Sequence, residues 1–193
     1  LSWGLIITYF IYMFKFIFIF LTIVTPVLSQ SYNLQPVEIK SGVWIIYGKQ
    51  EPMSPKNGAA IANTGFIIGK ESVLVIDSGP THLYAEEMIK SIKKITNLPI
   101  TNMVVTHRHP DHSFGINAFL ENGVEILMDS SEASAYSYQG EALLNLMRDI
   151  IGEKWTEKTT ILDPFQFKEP PSSLDLGERE VKLYLFHKGH TLG

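Results

Sequence analysis

Residues 106–112 read Thr-His-Arg-His-Pro-Asp-His, and four of them are able to bind a metal: His107, His109, Asp111 and His112. In an extended segment alternate residues face the same side, so His107 and His109 converge on one ion. A tight turn after Pro110 aims Asp111 and His112 at a second. Imidazole and carboxylate are the ligands zinc accepts where thiolate is lacking, and the chain contains no cysteine. Asp111 has a second reading, as the cap of a helix that follows. The chemistry on offer is hydrolysis, because zinc lowers the pKa of a coordinated water to about 7.

Such groups need a scaffold that holds them at a strand end. Apolar β-rich runs fall at 43–47, 65–68 and 72–76, bounded by Gly42, Gly48, Gly69 and Gly79. Residues 83–95 change period, with Ala85, Met88, Ile89, Ile92 and Ile95 on one helical stripe. A buried strand over 103–106 then leads straight into the histidine cluster. A helix is expected over 114–122, a strand over 124–128, and a long helix over 131–155 interrupted at Gly140. The segment 160–173, with Pro164, Pro170 and Pro171, reads as loop, and two late strands are expected over 173–176 and 180–186. Strands alternating with helices predict an α/β domain in which helices cover a sheet.

Composition narrows the function. A 45% hydrophobic, 19% charged chain has the balance of a globular protein. A net charge of −4 argues against a nucleic-acid partner, which calls for a clustered basic surplus; a small-molecule substrate is expected instead. Residues 3–28 are almost wholly apolar, and Lys15 is their only charge. With Met13 as a start, Lys15 as the charged region, an apolar run over 16–28 and a small residue at Ser29, residues 1–29 read as an export signal. If translation begins upstream, the same stretch is long enough for an anchor, and only then does the protein meet a membrane. The expected domain is 30–193.

His-Arg-His-Pro-Asp-His resembles the HxHxDH signature of the metallo-β-lactamase fold superfamily. The neighbouring pattern agrees in order: Asp77-Ser78-Gly79 closing a strand, a helix, a strand entering the motif, and a later Gly189-His190-Thr191 turn. The resemblance spans residues 36–193. It implies an αββα sandwich whose C-terminal part is missing after Gly193. It also implies zinc, one ion or two, with His107, His109 and His190 on the first and Asp111 and His112 on the second. Members add a bridging carboxylate and a final histidine from the C-terminal half, so the second site is incomplete here. Asp77 resembles the family's strand-end aspartate that supports the metal loops; a plain turn-initiating role stands beside it. Flavodiiron relatives carry Glu where this chain has His109, which favours zinc over iron.

The expected activity is therefore that of an exported zinc hydrolase acting on an ester, thioester, lactone or lactam, with Asp111 orienting the water and shuttling its proton. The pattern is most similar to exported members such as those of quinoprotein relay systems. Two alternatives are a class B β-lactamase proper and a non-catalytic periplasmic metal-binding accessory of a redox partner. His187 reads as packing or surface, His82 as solvent-facing, and Tyr136, Tyr138 and Trp155 as core rather than pocket.

Overall fold

The computed structural model describes residues 30–186 and 189–191. The signal or anchor reading of residues 1–29, and the reading of His187, lie outside the described residues. A six-stranded sheet runs in the order β1 (Val37–Lys40), β2 (Val43–Ile46), β3 (Thr64–Ile68), β4 (Val73–Ile76), β5 (Ile100–Val104), β6 (Glu125–Leu127). The first four strands pair antiparallel, and β4, β5 and β6 run parallel. Strand β1 is absent from the sequence expectation because it is an exposed edge: Val37 and Ile39 face water, so no apolar run marks it.

The parallel crossover is made by helix α1 (His82–Ile95). The Thr81 side chain caps it by accepting from the Tyr84 N–H, and Lys93 and Lys94 sit in its last turn, where the helix dipole favours cations. Its stripe of Ala85, Met88, Ile89 and Ile92 packs with Val73, Val75 and Met103 of the sheet. Two short helices follow β5: α2 (Pro110–Ser113) and α3 (Ile116–Glu121). The expected cap role of Asp111 is not found, since the N-cap position falls to His109 and Asp111 lies in the first turn.

Helix α4 (Ser130–Ile151) runs through Gly140 without a break, against expectation. Gly140 is a packing glycine, since a Cβ there would lie 2.5 Å from Ile161 Cγ2. The helix breaks instead at Gly152, and Trp155 belongs to a separate turn, α5 (Glu153–Thr156). The predicted loop contains a 3-10 turn at Pro164–Gln166.

The late strands are shorter than expected: β7 (Ser173–Asp175) and β8 (Glu180–Lys182) form an antiparallel hairpin, a second sheet. The hairpin turn is tied to the β3–β4 turn by Lys70 N–H to the Gly177 carbonyl and Glu71 N–H to the Leu176 carbonyl, both 2.9 Å. Helices cover one face of the main sheet. The other face, with Leu74, Ile76 and Val104, borders a cleft of about 630 Å³ that Pro170, Val181 and Phe186 line from the opposite side. Among the described residues no helix is long and apolar enough to cross a membrane.

Candidate metal centre

The site forms where β4 and β5 end side by side, the crevice that open parallel sheets present at their strand C-termini. The ladder continues one step past β4, with Asp77 N–H donating to the Val104 carbonyl at 3.0 Å. The chain then turns sharply. Asp77 has a φ of 60° and Gly79 a φ of 75°. A side chain at Gly79 would also meet the fully buried Tyr84 ring, with the Cβ 2.1 Å from Cδ1. Ser78 N–H donates to the His112 carbonyl at 2.7 Å and so docks α2 on this turn.

From β5 the chain leaves extended, and His107 and His109 face one another as the alternation requires. His107 Nε2 and His109 Nδ1 lie 3.2 Å apart. His190 reaches them from the segment after β8, and one ring nitrogen of each of the three falls within 4.8 Å of the others. A tetrahedral zinc with Zn–N bonds of about 2.0–2.1 Å sets neighbouring ligand nitrogens about 3.3 Å apart. The His107–His109 spacing matches that edge, so the residues present fit the ion. Asp111 Oδ2 lies 3.7 Å from His112 Nε2, and the His107 and His112 ring centres are 4.1 Å apart. The structure thus gathers all five sequence-predicted residues around one crevice.

Two residues outside the motif set the imidazole tautomers. Asp77 is 3% exposed and accepts from His112 Nδ1–H at 2.8 Å, which leaves His112 Nε2 as the lone-pair nitrogen. Asp77 also accepts from the Thr106 N–H at 2.7 Å and from the Thr106 hydroxyl. With its proton so directed, Thr106 Oγ1 accepts from His107 Nδ1–H at 3.1 Å, leaving His107 Nε2 free to ligate. Asp77 is therefore more than a turn residue. The role of Thr106 escaped the sequence reading; a hydroxyl directly before the first histidine is its signal.

The titration of these groups follows their surroundings. Burial pushes His107 down from 6.5 to about 4, helped by the neighbouring His112 and His109 rings. His109 is also lowered, by burial first and then by His190. Burial pulls His112 down too, but the hydrogen bond and charge of Asp77, with Asp111, outweigh it and raise the pKa. At neutral pH His107 and His109 are thus neutral lone-pair donors. A histidine with a depressed folded pKa contributes stability that is complete above 6.5 and is lost as pH falls toward 4. In the metal-free protein, imidazole proton NMR is expected to show His107 titrating near pH 4 and well below His112. The reverse order overturns this account of the site.

The remaining sequence readings divide. His82 is not solvent-facing: it is 3% exposed, its Nε2 is 2.9 Å from Glu121 Oε2, and its backbone N–H donates to Thr159 Oγ1. The first turn of α1 is roofed by α3 and the 156–159 turn, which a periodicity argument does not reveal. Tyr136 is core, edge-on to Phe114 and Phe167. Trp155 is core as well, its indole N–H donating to the Pro55 carbonyl at 3.0 Å. Tyr138 is 89% exposed and corrects the core reading for that position.

Fold and site together define a mixed α/β domain with a histidine cradle at the ends of parallel strands. The sequence profile of the metallo-beta-lactamase superfamily matches residues 57–193, and the chain belongs to that superfamily. It is 23% identical over 155 residues to a Bacillus protein described as metallo-beta-lactamase type 2, covering 80% of this chain and 51% of that relative. It is 30% identical over 69 residues to a Pseudomonas linear primary-alkylsulfatase, covering 36% of this chain and 12% of the other. The crystal structure of a metallo beta lactamase from Hirschia baltica aligns with a TM-score of 0.47 at 21% identity, over 55% of this chain and 48% of that one. The chain spans about half the length of the Bacillus relative.

Proposed function

We propose that the protein is an exported zinc-dependent hydrolase of an ester, thioester, lactone or lactam bond. The observation that carries the reading is the His107–His109–His190 cradle, whose nitrogens lie within 4.8 Å of one another. These three histidines would hold a first zinc, and Asp111 and His112 contribute to a second. When bound there, zinc supplies a Lewis acid and an activated water at neutral pH. Asp77 and Thr106 keep Nε2 of His112 and His107 unprotonated toward the ions. Asp111, whose Oδ2 lies 3.7 Å from His112 Nε2 at the crevice, would orient a water there and accept its proton. The name of the Bacillus relative puts lactams on the substrate list, and that of the Pseudomonas relative adds alkyl sulfate esters.

The full-length protein loaded with zinc is expected to hydrolyse at least one member of a panel of esters, thioesters, lactones, lactams and alkyl sulfates. Asp111→Asn should keep the first zinc, which the three histidines would hold, and lose about 10²-fold or more in kcat, the scale of a lost proton-transfer group. A zinc-loaded protein inert across the panel sinks the hydrolase reading and favours the accessory role beside a periplasmic redox partner.

A further inference from the structure

We propose that Glu132 is a positioning residue for the first metal site, acting on His107 and His109 through Arg108; the proposal rests on the zinc-site reading above. Arg108 lies between the two histidines and, by the same alternation, its side chain leaves the opposite face of the segment. There it meets Glu132, in the first turn of α4. Glu132 Oε1 accepts from Arg108 Nη1 at 2.8 Å, and Oε2 accepts from the Arg108 backbone N–H at 2.9 Å. One carboxylate thus grips both the side chain and the main chain of a single residue.

The other side of that residue is held too. The Ser113 hydroxyl lies 2.9 Å from both the Arg108 and His109 carbonyls, from within α2. With its N–H fixed by α4 and its carbonyl by α2, Arg108 has little freedom in either flanking peptide plane. Those planes end at the Cα atoms of His107 and His109, from which the two imidazoles branch. A swing of either would separate the nitrogens that now stand 3.2 Å apart.

The burial of the pair points the same way. The Glu132 side chain is 1% exposed and that of Arg108 17%. Buried ion pairs are weak sources of stability, since apolar replacements of similar volume are often neutral or stabilising. Holding a segment in one geometry is the use that stability alone does not supply. A carboxylate in the first turn of a helix also sits where the backbone dipole favours it. Outer groups that orient metal-binding histidines typically change metal affinity 10- to 100-fold when removed.

The test measures zinc dissociation by chelator competition on the full-length protein, with apoprotein denaturation and the visible spectrum of the cobalt(II)-substituted form alongside. Glu132→Gln keeps one acceptor oxygen but turns a donor toward a donor. It should weaken zinc by about 10-fold and shift the cobalt bands, with the apoprotein midpoint little changed. Because Glu132→Gln removes the countercharge from a largely buried guanidinium, a second variant, Arg108→Met with Glu132→Leu, replaces the whole pair by apolar side chains. It should fold and still bind zinc 10- to 100-fold more weakly, because the Arg108 N–H has lost its acceptor. Wild-type affinity and an unchanged cobalt spectrum in either folded variant overturn the proposal. So does failure of both variants to fold, which makes the carboxylate a general structural requirement. Failure of the wild type to bind zinc is a different result and removes the zinc-site reading instead.

Discussion

Replacing His107 and His109 together by alanine is expected to abolish zinc binding while the fold persists. Structural zinc sites release about 10–16 kcal/mol at neutral pH, or roughly 3 kcal/mol for each of four ligands. Two lost ligands then weaken binding by about 6 kcal/mol, on the order of 10⁴-fold. The fold has little reason to fail, because both imidazoles are half-buried at a strand exit and neither belongs to the apolar core between sheet and helices. Elemental analysis after exhaustive dialysis, with circular dichroism on both proteins, checks the expectation. Stoichiometric zinc in the wild type and traces in the folded double variant support the cradle. Equal zinc in both places the ion elsewhere.

The cradle's local half was legible because it is written in adjacent positions: residues 107–112 carry their own spacing, and an extended exit from β5 is enough to point two imidazoles together. His190 was reached only through resemblance, since nothing in residues 186–191 states which strand end they return to. The groups that orient the histidines were the hardest to see. Thr106 meets Asp77 across 29 residues and Arg108 meets Glu132 across 24, so each partnership exists only after β4, β5 and α4 have docked. The same holds for His82, whose burial comes from Glu121 and Thr159. Helix α4 was misread at Gly140 because a glycine signals a break locally, whereas here Ile161 occupies the space that its missing side chain leaves. Propensity and period describe one element at a time; these residues are fixed by two.

Substitution at Asp77 should cost a large share of the fold's stability. Its carboxylate, nearly inaccessible to water, accepts hydrogen bonds from Thr106 N–H, the Thr106 hydroxyl and His112 Nδ1–H. Asp77→Ala leaves those donors without an acceptor and places an alanine at a φ of 60°. Stranding the partners of a buried charge costs about 3–5 kcal/mol, and urea denaturation of the metal-free protein should show a loss of that size. Asp77→Asn is the more informative change. Asparagine tolerates the left-handed backbone, and its carbonyl can still accept from the Thr106 N–H, so the fold should survive. Its amide group then faces His112 Nδ1 with a donor, which drives the imidazole proton to Nε2 and turns the lone pair away from Asp111. His112 should also lose the upward pKa shift that Asp77 provides. A raised histidine pKa contributes stability that is complete below the unfolded value of 6.5 and fades as pH rises through the folded one. The stability deficit of Asp77→Asn relative to wild type should therefore widen as pH is lowered from 8 to about 6. An unchanged His112 midpoint by NMR, or a deficit that is flat across that range, removes Asp77 from the control of this imidazole.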